Sequence, residues 1–223
     1  MSMEKGDRDE RHSPPAFNIP PATLWSALFI IGVFLGLRFG PQGWTEWMLE
    51  NLAFSTVAFD QALSIGRLRP ADVAPLVAYS LIHLDLLHLL LNVGLLVAFG
   101  SLVERVHGKA WYLGIFAFTA AAGAVVQYLA VPQEESIMIG ASGAVYGLIG
   151  AAVPLMFWSR DGYRWRKGLG FVAVIMLLNI VLGPLSSSLD LFGAVVAWQA
   201  HIGGFFSGLA IGALLILRRL GRI

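Results

Sequence analysis

Ser142 and His201 are the two residues of this chain whose types, taken together, could do covalent chemistry. A serine hydroxyl is a weak nucleophile until an adjacent base takes its proton. A neutral imidazole suits that role near pH 7. The acyl intermediate that follows carries an oxyanion, which needs donors aimed at it. Ser142 opens an apolar run, so on a helix its backbone N–H would be unpaired and would sit at the positive end of the dipole. His83, His88 and Asn92 are further polar residues in or beside apolar runs. His88 and Asn92 lie one helical turn apart, share a face, and could add side-chain donors. No acidic third member is evident, because Asp85, though close to His88 in sequence, points elsewhere at helical spacing. A Ser–His dyad is the economical expectation.

The elements that must position these groups are membrane helices. The 223 residues are 57% hydrophobic and 13% charged, and the charged share is about half that of an ordinary soluble domain. A transmembrane helix needs about 20 mostly apolar residues. Runs of that kind cover Leu24–Phe39, Leu84–Val103, Ala110–Val131, Ser142–Trp158, Gly168–Pro184 and Trp198–Leu217, with Pro154 inside the fourth. Nothing alternates at period two over strand lengths, which argues against a membrane β-barrel. The expected class is an all-α membrane protein of six transmembrane helices: a short cytoplasmic tail over 1–20, then one membrane domain over 21–223. Residues 1–15 mix charges without an apolar core, unlike a cleavable signal peptide. The first loop, about 40–83, is too polar to span and too apolar to be a free loop. It predicts short interfacial helices anchored by Trp44 and Trp47.

Basic residues set the expected orientation. With the N-terminus cytoplasmic, Lys5, Arg8, Arg11, Arg105, Lys109, Arg160, Arg164, Arg166, Lys167, Arg218, Arg219 and Arg222 are inside; Arg38, Arg67 and Arg69 are outside. Twelve of the 15 therefore lie on one side. In that arrangement the second, fourth and sixth runs all enter from the outer side, which puts His83, His88, Ser142 and His201 in the same outer part of the bilayer. Small residues let helices approach closely in lipid. Gly204, Gly208 and Gly212 make a stripe beside His201, and Gly143 and Gly147 make one beside Ser142. Two such stripes facing each other would bring Ser142 within hydrogen-bonding reach of His201.

These residues resemble the motifs of the rhomboid family of intramembrane serine proteases. GASG at 140–143 is similar to its GxSG, and HLDLLHLLLN at 83–92 to its HxxxxHxxxN. AHIGGFFSG at 200–208 is similar to AHxxGxxxG, and GSLVERVHG at 100–108 to GxxxExxxG. The resemblance covers about residues 70–217 and implies a rhomboid-like bundle. It implies Ser142 as nucleophile and His201 as base. His88 and Asn92, with Ser142 itself, would form the oxyanion site. His83 would be structural, Tyr146 would stack on His201, and Glu104 would bond the cytoplasmic end of the second span. Gly204 and Gly208 would permit the tight helix crossing, and Gly140 and Gly143 would support the site. The fifth span and the loop after it, about 185–197, would act as substrate gate and lid. Where many members carry Trp-Arg in the first loop, this chain reads Ala74-Pro75.

Other classes fit less well. Zinc could in principle use His83, His88 and His201, but HExxH is absent and His83 and His88 are not spaced as i,i+4 ligands. No span holds a carboxylate away from its ends, as an aspartyl intramembrane protease requires. A transporter is disfavoured by the lack of internal repeats. The remaining alternative is a catalytically inactive rhomboid-like protein that binds membrane helices, although such relatives lose Ser or His. The chain has no cysteine, and no metal or other cofactor is expected. Expected partners are the lipid bilayer and single-span transmembrane protein substrates. A net charge of +1 shows no nucleic-acid footprint. A bacterial inner membrane, with both termini cytoplasmic, is the expected location.

Overall fold

The computed structural model describes residues 18–131, 136–158, 163–188 and 197–221. Most of the expected tail and most of the expected lid loop lie outside these residues. The architecture is an all-α membrane bundle of six helical columns. Four helices, Pro21–Phe39, Leu86–His107, Lys109–Ala130 and Trp198–Arg219, are long and apolar enough to cross a membrane. Two further apolar helices, Ser142–Phe157 and Tyr163–Ser188, complete it.

The first column, α1 (Pro21–Phe39), starts before the apolar run because proline suits a helix's first position. Its first-turn N–H groups, which have no partner within the helix, are capped from another column. The Glu104 carboxylate accepts Ala22 N at 3.0 Å, Thr23 N at 2.7 Å and Thr23 Oγ1 at 2.7 Å. Glu104 thus ties the end of its own column to the start of α1.

The first loop is built of α2 (Trp44–Leu52), α3 (Thr56–Ser64), α4 (Pro70–Val73), α5 (Pro75–Ala78) and a 3₁₀ turn over Tyr79–Leu81. Trp44 packs against Gly36 of α1 and Gly40 just after it, and Trp47 is exposed. The Ala74-Pro75 pair is the joint between α4 and α5, with proline again at a helix's first position. Asp72 closes α4 by accepting from Arg69 N and pairing with its guanidinium. That side-chain bond, with the backbone bond next, holds the Asp72 carboxyl at about 2, well below the usual carboxylate range. One feature has no period for the sequence to reveal: a two-residue strand β1 (Phe54–Ser55) pairs antiparallel with β2 (Ile137–Met138). It pins the loop to the segment leading into Ser142.

The second column consists of α6 (Leu86–Leu95), a π turn over Leu96–Gly100 and α7 (Ser101–His107). Asp85 is its N-cap, accepting His88 N at 2.7 Å. The column stops at Gly108, whose φ of 87° favours glycine. After α8 (Lys109–Ala130) comes α9 (Ser142–Phe157), buried almost throughout from Gly143 to Pro154. A proline deletes one helical hydrogen bond, and α9 runs only one turn past Pro154. Next is α10 (Tyr163–Ser188), whose described face is largely exposed, and last is α11 (Trp198–Arg219) against α8 and α9.

Candidate active site

Glycine positions the two helices that carry the pair. A methyl on Gly204 would stand 2.0 Å from the Gly143 carbonyl oxygen. One turn on, a methyl on Gly208 would be 1.9 Å from the Gly147 oxygen, and at Gly212 it would be 2.5 Å from that of Ala151. The α11 stripe therefore meets the α9 backbone over three successive turns, an approach that only a residue without a side chain allows. The expected facing of two stripes is corrected, because Gly143 and Gly147 leave room instead for the Tyr79 hydroxyl and for Thr119 of α8. Gly150 is the α9 glycine that faces the α11 backbone, where a methyl would stand 2.1 Å from Phe205 O. At their shared end Ser142 Oγ lies 2.7 Å from His201 Nε2. His201 is buried, and the Tyr146 ring is stacked on its imidazole at 4.3 Å between centroids and 5° between planes.

A second set of contacts shapes the loop before Ser142. Gly140 has φ of 101° and donates its N–H to the Tyr79 carbonyl at 3.0 Å. A methyl there would be 2.5 Å from His88 Nε2, so the His88 ring lies directly over this glycine. His83 is fully buried, and its Nε2 accepts Ala141 N–H at 3.2 Å. The His83 and His88 rings are 5.0 Å apart. Asn92 is buried one turn along α6, and its amide donates to the His88 carbonyl at 2.9 Å. An amide has two hydrogens, and this bond uses one of them. Of the expected site residues, only Glu104 stands apart, at the far end of the second column.

Two participants were not anticipated. Tyr79 is fully buried, with its hydroxyl donating to Ala120 O at 3.0 Å and lying where a methyl on Gly143 would clash. Nothing in the apolar patch VAYSLIH marks it out. Asn179 of α10 is the second: its Oδ1 is 2.7 Å from His201 Nδ1, and its Nδ2 donates to Trp198 O at 3.1 Å. A signal for it existed, since it is the one amide in the Gly168–Pro184 run, and a polar residue inside a span is a functional candidate.

The arrangement can take a proton from the serine hydroxyl on Nε2 and pass it on. It offers little to a metal. His83 Nε2 and both His201 nitrogens already have partners, and among the described residues no three His, Asp or Glu side chains stand close enough to hold an ion.

Comparison with known proteins agrees in kind. The rhomboid domain model matches residues 70–218. RHOMBOID-like protein 5 of Arabidopsis thaliana is 30% identical over 138 residues, 61% of this chain and 42% of its own length. Rhomboid protease GluP of Bacillus subtilis is 29% identical over 131 residues, 59% of this chain and 24% of its own length. Rhomboid protease GlpG of Haemophilus influenzae is 29% identical over 143 residues, 64% of this chain and 69% of its own length. The matched part thus spans less than half of the first two relatives.

Proposed function

Because this chain belongs to the rhomboid family, we propose that it is an intramembrane serine endopeptidase with Ser142 as nucleophile and His201 as its base. The observation that carries this is the 2.7 Å contact between Ser142 Oγ and His201 Nε2, at the end of two helices locked backbone to backbone. Ser142 Oγ attacks the scissile carbonyl while its proton moves to Nε2. Collapse of the tetrahedral intermediate breaks the C–N bond, and the same proton leaves with the amine. Water, deprotonated by the same imidazole, then releases the acyl group from Ser142. The oxyanion is met by the Ser142 backbone N–H, which opens α9, with His88 and Asn92 supplying side-chain donors.

The substrates proposed are single-span membrane proteins whose helix unwinds at the site, with a small residue before the cut. Access is proposed past α10 and the loop after it. The whole membrane domain, residues 21–223, is the proposed catalytic unit. Cytoplasmic termini, supported by the basic-residue bias, and a bacterial inner membrane are the proposed setting. A reporter fused after Ile223 should read as cytoplasmic.

A fluorophosphonate probe tests the chemistry on purified full-length protein. Wild type should be labelled; Ser142→Ala should not be, and His201→Ala should label only marginally. An unlabelled wild type, or equal labelling of Ser142→Ala, overturns the proposal. Asn92→Ala should lower turnover of a model transmembrane substrate by roughly a hundredfold, as loss of an oxyanion donor does, with the thermal midpoint little changed. Unchanged turnover would remove Asn92 from the site.

A further inference from the structure

Asn179 is buried among exposed neighbours on α10. The α10 side chains around it, Val174, Leu177, Leu178, Ile180 and Val181, are about half exposed or more, whereas Asn179 is 3% exposed. It continues the one face of α10 that packs inward, after Gly168 and Phe171 against Phe157 and then Ile175 and Met176. An amide in that place must find partners or be costly in lipid, and it finds two that constrain each other.

The Trp198 carbonyl can only accept, so the bond to it fixes which end of the amide is NH2. Oδ1 is thereby turned to His201 Nδ1 at 2.7 Å. An amide oxygen can only accept, so Nδ1 must carry the hydrogen. In a neutral imidazole the other nitrogen then bears the lone pair. That nitrogen is Nε2, facing Ser142 Oγ. The chain Trp198 C=O, Asn179, His201, Ser142 therefore selects the one tautomer able to accept the serine proton. An acid partner would do the same with a charge, which a lipid-facing helix holds only at high cost.

We propose that Asn179 is the positioning residue of His201, fixing its tautomer and ring orientation, so that the base is aligned only while α10 is docked on α11. This deepens the serine-protease assignment and depends on it. The Nδ1–H···Oδ1 bond is kept when His201 takes the proton, so no further group has to move. If α10 swings aside to admit a substrate, the base loses its alignment, and it regains it when α10 returns.

The test compares wild type, Asn179→Leu and Asn179→Asp as full-length proteins in detergent. Two rates are read: labelling of Ser142 by a small soluble fluorophosphonate, and kcat and KM on a model transmembrane substrate. Asn179→Leu keeps the side-chain volume and removes the acceptor. Its labelling rate and kcat should both fall, by roughly ten- to a hundredfold given what an aligned general base contributes, with KM changed less than threefold or so. Asn179→Asp retains an acceptor for Nδ1 and should recover much of the labelling rate. A purely structural or gating role for Asn179 would move KM or the thermal midpoint and leave labelling by the small probe untouched; that result overturns the inference. If Asn179→Leu does not fold, Asn179→Gln decides in its place: reduced labelling at a wild-type thermal midpoint supports the inference, and wild-type labelling overturns it. An unlabelled wild type would instead sink the protease assignment itself, so the two failures are distinguishable.

Discussion

The α9–α11 pair and α10 are equally at home in a bilayer, yet they are held in opposite ways. In α9, Leu148 and Ile149 are almost fully buried and Gly143 and Gly147 touch the backbone of α11. In α10, Leu177 is 62% exposed, and Gly170 would have nothing within 4 Å of an added methyl. Apolarity does not separate them, because lipid receives leucine as readily as a protein core does. What separates them is where the small residues fall. Glycine every fourth residue on α11, with Gly150 on α9, allows close contact along the crossing. A helix with large residues all round is docked by a few points, and here one of those points is the Asn179 amide on His201. The tight pair holds the nucleophile and base; the loose helix brings the group that aligns the base.

The largest effect should come from adding one methyl on each side of that comparison. Gly208→Ala pushes a carbon against the Gly147 carbonyl oxygen, a backbone atom with no side-chain freedom to yield. Thermal unfolding in detergent should show a loss of about 3 kcal/mol, the upper end for overpacking. Gly170→Ala on α10 should be neutral or stabilising by up to about 1 kcal/mol, since it only lowers chain entropy. Equal losses at both positions would erase the distinction between the two regions.

The same contrast explains which features were legible in the sequence. The spans and the α11 glycine stripe follow from composition and four-residue spacing, because in lipid small residues are themselves the packing code. The Ser142–His201 pairing needed the basic-residue orientation and the motif resemblance as well, and spacing did not show that Gly143 and Gly147 face Tyr79 and Thr119 rather than α11. Ends moved by a few residues where a neighbour supplies the cap, as Glu104 does for α1. The two-residue ladder between Phe54–Ser55 and Ile137–Met138 is too short to have a period. The π turn at Leu96–Gly100 also leaves no pattern. Tyr79 clasps the loop before Ser142 through tertiary contacts alone. Asn179 was hidden for a different reason. A helix apolar on every side does not announce which face turns inward, so its one amide had no evident target until α10 and α11 were side by side.

An intermediate effect is expected at the rim where the first loop meets the tight pair. His83→Leu removes the side-chain acceptor of the buried Ala141 N–H. Leaving such a donor unsatisfied costs about 1–3 kcal/mol. The loss belongs to the α9 side of the comparison, so it should appear as a lower thermal midpoint together with slower labelling of Ser142. His83→Gln, which offers a side-chain oxygen, should restore part of both. A His83→Leu protein with wild-type stability would mean that the loop before Ser142 is held by Tyr79 and β2 alone.

The smallest effect is expected at Leu177 of α10, and setting it beside Leu148 of α9 separates packing from hydrophobicity. Leu148 is fully buried between helices, whereas Leu177 is 62% exposed. In water both truncations would lose transfer energy; in a bilayer the transfer term nearly vanishes, because the unfolded reference is also in lipid. Leu148→Ala still leaves a cavity that its locked neighbours cannot close, and should cost about 2 kcal/mol. Leu177→Ala leaves a hollow that acyl chains fill, and should cost less than about 0.5 kcal/mol. Thermal midpoints of the two variants in the same lipid or detergent give the difference directly. If Leu177→Ala proved as costly as Leu148→Ala, α10 would be packed as firmly as α9, and the base could not depend on its docking in the way Asn179 implies.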